Sequence, residues 1–262
     1  MKYVKKSLGQ NFLIDLNIIK KITNITEIFD RNILEIGPGK GALTDQILKN
    51  NPKSLTLVEK DNFLFNKLKF KYLNNKKIKI YNKDILKFNI EDKLKKNTII
   101  FGNLPYNISS QILVKIIKFK KWPPKFSRII FMFQKEMADR IIGKFGTSKY
   151  GRLTILTNYR LKTLKRFNIS PNCFFPKPKV NSTVLDFTPH NYTLNKIKNI
   201  NNLEKITNIL FSGKRKMINK SLKKIFKDLK NINLINDLNL RSRPSDLKPE
   251  KYYEITKLFE KN

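Results

Sequence analysis

The chain has 262 residues, 40% hydrophobic and 11% aromatic, enough to bury a core in one large domain, or in one large and one small. Lys and Arg number 55 against 20 Asp and Glu, for a formal net charge of +35, which points to polyanions and first to nucleic acid without separating RNA from DNA. Cys173 and His190 are single: an intramolecular disulfide and a Cys/His metal site are excluded, and a catalytic triad would have to use His190 in its Pro-His-Asn turn.

Lysine, asparagine and isoleucine crowd the whole chain, so the charge supports a functional reading but does not carry it. No run is long and apolar enough to span a bilayer. The first residues, Met1 to Gly9, lack the apolar core of a signal peptide. A cytoplasmic location is expected. Nothing in the sequence demands more than a monomer.

The segment Ser7 to Leu13 alternates polar and apolar residues around Gly9 and precedes an amphipathic helix, as a lid or an ordered arm would. From about Asp30 to Phe133, strand-like and helix-like stretches alternate, the pattern of an α/β, doubly wound, mostly parallel sheet. Strands are expected at Asn32 to Ile36, Ser54 to Glu59, Ile78 to Tyr81, Thr98 to Gly102 and Arg128 to Phe133. Helices are expected at Leu43 to Asn50, Phe63 to Leu73, Ser109 to Phe119 and Lys135 to Ile142. Two further strands, Leu161 to Ile169 and Ser182 to Phe187, can extend the sheet antiparallel.

After Thr188-Pro189-His190-Asn191 the character changes to short amphipathic helices. Ile218, Leu222, Ile225, Phe226 and Leu229 fall on one helical face and read as core. The chain is therefore divided into a domain of residues 1–190 and a small, basic helical domain of residues 191–262.

Four features sit at four consecutive strand ends. Gly37, Gly39 and Gly41 form a strand-to-helix turn where doubly wound folds bind nucleotides. The spacing is G-x-G-x-G, not the full dinucleotide fingerprint, which lowers the case for a nicotinamide enzyme. Glu59 can accept from both hydroxyls of a ribose, or pair with Lys60. Asp84 can accept from an adenine amine with Ile85 flanking the ring, or cap the next turn. Asn103-Leu104-Pro105-Tyr106 ends the fourth strand. Its amide oxygen and the Leu104 carbonyl offer two acceptors, Pro105 keeps the turn extended, and Tyr106 offers a face for stacking. That set suits a flat base bearing an exocyclic amine. The ends of parallel strands share one edge, so the four features are expected to converge on one crevice.

Gly9-Gln10-Asn11-Phe12-Leu13, the Gly37 to Gly41 loop, Glu59, Asp84 and Asn103 to Tyr106 together resemble the ribosomal RNA small-subunit adenine N6-dimethyltransferases of the bacterial KsgA type. Phe174 to Ser182 resembles the family's later motif, and Phe211 to Lys216 resembles part of its C-terminal domain. The resemblance covers nearly the whole chain and implies a Rossmann-like methyltransferase fold. It implies S-adenosyl-L-methionine contacts at Asn11, Leu13, Gly37, Glu59, Asp84 and Asn103, and a target adenine held by Asn103 to Tyr106. The other face of that base is expected to be closed by Phe174, with Phe175 as competitor and core packing as the alternative for both. The implied substrate is small-subunit ribosomal RNA or a pre-30S-type particle. The competing readings are an assembly or transcription factor using only the RNA- or DNA-binding surface of this fold, and a large-subunit adenine methylase.

Overall fold

The computed structural model describes residues 9–190, 197–226, 232 and 235–261; Met1 to Leu8 and Leu229, named above, lie outside them. The chain forms two compact units, residues 1–138 with 163–189, and residues 139–162 with 190–262. Residues 139–162 thus group with the C-terminal helices, whereas a division at residue 190 puts them in the first domain.

In chain order the first half holds β1 (Phe12–Leu13), α1 (Leu16–Thr23), β2 (Asn32–Ile36), α2 (Ala42–Lys49), β3 (Ser54–Glu59), α3 (Asn62–Lys71), β4 (Ile78–Asn82), β5 (Thr98–Asn103) and α4 (Ser109–Ile117). There follow β6 (Phe126–Gln134), α5 (Lys135–Ile141), α6 (Arg152–Arg160), β7 (Leu161–Ile169), β8 (Phe174–Phe175), β9 (Ser182–Pro189), α7 (Ile200–Phe211), α8 (Ile218–Leu222) and α9 (Pro249–Phe259).

The main sheet has seven strands in the order β4-β3-β2-β5-β6-β9-β7. The pairs β4-β3, β3-β2, β2-β5 and β5-β6 are parallel, and β9 adds antiparallel to β6, as expected for Ser182 to Phe187. The inner strands are apolar along nearly their whole length because helices cover both faces of a parallel sheet: Ile99, Ile100 and Phe101 of β5 are all buried. The chain runs β2, β3, β4 toward one edge and then returns to place β5 on the other side of β2. The switch point therefore lies between β2 and β5, where such folds open a crevice at the carboxyl ends of the strands.

Helix starts follow local chemistry. Asp15 accepts from the backbone N–H groups of Asn17 and Ile18 at the start of α1, and Asp61 does the same for Phe63 and Leu64 at the start of α3. A second, two-stranded ribbon pairs β1 with β8, Phe12 opposite Phe175 and Leu13 opposite Phe174.

In the second unit α6, α7 and α9 are joined by tyrosines. The Tyr150 hydroxyl donates to the Leu247 carbonyl at 2.9 Å, the Tyr253 hydroxyl donates to the Ile155 carbonyl at 3.2 Å, and the Phe211 and Tyr252 rings stack at 5.7 Å. Ile218, Leu222 and Phe226 are buried, as their spacing predicts, although the helix itself ends at Leu222. Among the described residues no helix is long and apolar enough to cross a membrane.

Candidate active site

The register of the sheet builds the site. Ile36 of β2 stands beside Val58 of β3 and Gly102 of β5, and Val58 stands beside Tyr81 of β4. The residues that follow, the Gly37 loop, Glu59, Asp84 and Asn103, consequently leave the sheet along one edge. A single pocket in the first unit is lined by Asn11, Leu13, Gly37, Gly39, Glu59, Asp84, Ile85, Asn103 and Pro105, so the expected convergence is present. Gly41, Leu104, Tyr106 and Phe174 are not part of that lining.

The glycine loop makes close approaches. Gly37 has φ +68°, its N–H donates to the Val58 carbonyl at 3.0 Å, and a Cβ there would stand 3.8 Å from the Asn103 carbonyl oxygen. At Gly39 (φ +60°) a Cβ would stand 3.0 Å from the Phe12 ring, which thus lies directly on the loop. Lys40 completes this contact with its ammonium 4.6 Å from the centre of the Phe12 ring. Gly41 is a turn residue: it precedes α2 with φ +83°, and its Cβ position is taken by the Tyr72 hydroxyl at 2.5 Å.

Glu59 is 7% exposed and accepts on both oxygens, from Gly39 N–H at 3.1 Å and Asp61 N–H at 2.8 Å. Its ion-pair partner is not the Lys60 ammonium, although the Lys60 backbone N–H also reaches its carboxylate. Burial pushes its carboxyl above the usual range, and the backbone donors pull the other way. Lys60 pairs instead with Asp84 at 2.9 Å, and the other Asp84 oxygen accepts from Leu86 N–H at 2.9 Å, so Asp84 does cap its turn while lining the pocket. The Lys60 contact holds the Asp84 carboxyl below its ordinary value.

Asn103 is oriented through its nitrogen: Nδ2 donates to the Asn11 carbonyl at 3.0 Å, which directs Oδ1 away from β1. Leu104 is 2% exposed and folds back against the strand, so that a Cβ on Gly102 would meet its Cδ2 at 2.6 Å. Glycine at 102 makes this turn possible. The Tyr106 ring is half-buried and pinned at its hydroxyl, 2.6 Å from Ser182 Oγ, while Ser109 Oγ donates to the Tyr106 carbonyl at 3.1 Å.

Phe174 does not face the pocket. It is 3% exposed and packs with Leu13 in the hydrophobic core, because alternation along β8 turns it inward and leaves Phe175 half-exposed.

Several participants were not among the expected site residues. Gln10 donates to Asp61 at 3.2 Å, tying the N-terminal segment to the start of α3. Asn107, Ile108 and Ile112 line the pocket from the start of α4, placed there only by the turn before it. Glu35, the acid before the glycine loop, is 2% exposed and accepts from Thr44 Oγ1 at 2.6 Å; burial pushes its carboxyl up to about 8. An acid inside an otherwise apolar strand was the available sign.

The family described as "Ribosomal RNA adenine dimethylase" matches residues 1–261. A protein named ribosomal RNA small subunit methyltransferase A from Pelagibacter ubique is 46% identical over 256 residues, 98% of this chain and 97% of that one. Its namesake from Malacoplasma penetrans is 42% identical, covering 97% of this chain and 91% of the relative. The crystal structure of a dimethyladenosine transferase from Plasmodium falciparum superposes with a TM-score of 0.77 at 26% identity, over 95% and 98% of the two chains. The 23S rRNA methyltransferase ErmE gives a TM-score of 0.68 at 22% identity over 95% of this chain and 99% of that one, a likeness of fold. Sheet order, pocket and sequence agree, and the chain belongs to the ribosomal RNA adenine dimethylase family.

Proposed function

We propose that the chain transfers methyl groups from S-adenosyl-L-methionine to N6 of adenosines in small-subunit ribosomal RNA, giving N6,N6-dimethyladenosine and supporting ribosome maturation. It acts as a monomer in the cytoplasm, on a pre-30S-type particle. The observation that carries the reading is the Asn103 amide, fixed at the β2/β5 switch point by the Asn11 carbonyl within the pocket wall.

The residues present fit the cofactor. Glu59 accepts backbone N–H groups on both oxygens, and a carboxylate's remaining lone-pair capacity can take a ribose hydroxyl. Asp84 and Ile85 supply an acceptor and an apolar flank for a purine, and the Gly37 turn keeps a side chain from filling the space beside Asn103. When bound, S-adenosyl-L-methionine supplies a methyl group already activated on a sulfonium, which an amine nitrogen takes up with loss of one proton.

The adenine amine is a weak nucleophile because its lone pair is delocalised into the ring. Asn103 Oδ1 and the Leu104 carbonyl accept its two hydrogens, which favours a less conjugated nitrogen. The proton leaves after the new bond forms, so no strong base is required. Most of the rate then comes from positioning. The base must leave its stack to enter, and the Tyr106 ring, held by Ser182, stacks on one face. Phe174 can close the other face only if its buried ring is released; half-exposed Phe175 competes for that place. The exposed Lys214, Arg215 and Lys216, with Lys220, Lys223 and Lys224, supply phosphate contacts from the C-terminal domain.

The test is calorimetric titration with S-adenosyl-L-methionine followed by methylation of undermethylated small subunits. Cofactor binding with label in small-subunit RNA is the expected result. Failure of a folded protein to bind the cofactor would favour the non-catalytic reading, and label confined to large-subunit RNA would favour the other methylase. In the same assay Phe174→Ala should impair turnover more than cofactor binding; equal loss in both assigns it to packing.

A further inference from the structure

Residues 46–83 contain ten lysines and two acids, Glu59 and Asp61. All ten lysines are exposed, whereas Glu59 and Asp61 are 7% and 1% exposed and hold backbone N–H groups. The exposed charge of this stretch is therefore entirely positive. Asp45, just before it, is engaged by Lys71 at 2.5 Å and by the Tyr72 hydroxyl at 2.8 Å.

Two of the ten lysines, Lys60 and Lys83, line the pocket. The same stretch also exposes large apolar groups: Phe70 is 83% exposed, Leu73 69% and Phe63 40%, with the Lys67 ammonium 4.5 Å from the Phe63 ring centre. Phe70 and Leu73 border a shallow depression that Asn51, Pro52, Asn75 and Lys77 also line. It lies at the opposite edge of the sheet from the pocket, since Pro52 precedes β3 and Asn75 and Lys77 precede β4. Solvated lysines alone need no explanation, but an exposed aromatic and a leucine among them do.

We propose that this face of α3 and the segment leading into β4 hold a single-stranded stretch of the RNA substrate away from the methylated base. The inference rests on the reading of the chain as an RNA methyltransferase. Lysines take the phosphates and the Phe70 ring offers a stacking platform; the Asn51 and Asn75 amide oxygens already accept from Lys77, so these side chains offer only their NH2 groups to base edges. Charge complementarity selects the occupant: outside the pocket eight exposed lysines stand against one half-exposed acid, Asp45, which Lys71 already pairs, so the partner is a polyanion, and the flat exposed ring selects one that carries bases.

The test uses the full chain, a small-subunit ribosomal RNA transcript as probe, and two variants, Phe70→Ala and the double variant Lys69→Glu/Lys76→Glu. None of these residues belongs to the pocket. Phe70→Ala should weaken RNA binding by about fivefold or more, the loss of one stacked base. The double variant should flatten the dependence of log Kd on log salt by about 1.4, two single-strand phosphate contacts. Cofactor affinity should stay at the wild-type value in both. Unchanged RNA affinity and salt slope in both variants would overturn the inference and leave the active-site reading intact. Binding to anionic phosphatidylglycerol vesicles that Phe70→Ala abolishes, with RNA binding untouched, would overturn it in favour of a membrane surface. A folded wild type that binds cofactor but no RNA would remove the RNA-substrate reading and this inference together.

Discussion

The Asn103 side-chain nitrogen donates to the Asn11 carbonyl at 3.0 Å across 92 positions of sequence. An amide has one donating and one accepting end, so this bond decides which end remains for a substrate amine. Asn103→Asp keeps an acceptor but loses the donor and sets a negative oxygen against the Asn11 carbonyl. Turnover should fall by about 100-fold or more, the penalty of an ångström-scale misplacement, while cofactor affinity changes less than turnover. Single-turnover methylation alongside cofactor titration checks this; an Asp variant as fast as wild type removes the role given to the amide.

Glu59 holds two loops with one carboxylate, through Gly39 N–H and Asp61 N–H. Glu59→Gln replaces one acceptor with an NH2 group facing a backbone donor. Hydrogen bonds to a charged group contribute about 1.5–3 kcal/mol, so cofactor affinity should drop by about one to two orders of magnitude. Turnover at saturating cofactor should change far less. Calorimetry on the folded variant decides, and wild-type affinity would deny Glu59 a binding role.

Gly41 occupies a left-handed backbone with the Tyr72 hydroxyl where a Cβ would be. Gly41→Ala should destabilise the protein by about 1–2 kcal/mol from backbone strain alone, with more from displacing Tyr72 from Asp45. Denaturant unfolding measures it. Stability equal to wild type would show that the loop relaxes freely.

Glu35 carries a carboxyl raised from 4.5 to about 8, chiefly by burial. Between those two pH values the folded protein keeps a proton that the unfolded chain has released, so this group's contribution falls as pH rises. The loss is at most about 1.4 kcal/mol per pH unit. Glu35→Gln removes the ionisation and keeps an acceptor for Thr44. Melting curves at pH 5 and pH 8 should show the wild type losing stability relative to the variant at the higher pH; parallel behaviour would mean that Glu35 titrates normally when folded.

Much of this was legible in the sequence. Strand patterning located β2, β3, β4 and β5 to within a residue or two: the buried strands β2 and β5 read as apolar runs, while the edge strand β4, with no fully buried residue, shows as the alternation Ile78-Lys79-Ile80. Convergence of the Gly37 loop, Glu59, Asp84 and Asn103 followed from topology. The rest depended on contacts between distant segments. Nothing local to Phe174 states that pairing with Leu13 turns its ring into the core. Glu59 and Lys60 are adjacent, yet Lys60 serves Asp84 because Glu59 is turned inward to backbone donors. The grouping of residues 139–162 with the C-terminal helices rests on bonds such as Tyr150 to Leu247, which no composition change announces.

Nucleoside mass spectrometry of undermethylated small subunits incubated with the protein and methyl-labelled S-adenosyl-L-methionine tests the central claim most directly. The predicted result is labelled N6,N6-dimethyladenosine with the wild type and its loss with folded Asn103→Ala. Label on another base, or equal dimethyladenosine from the Asn103→Ala variant, would contradict it.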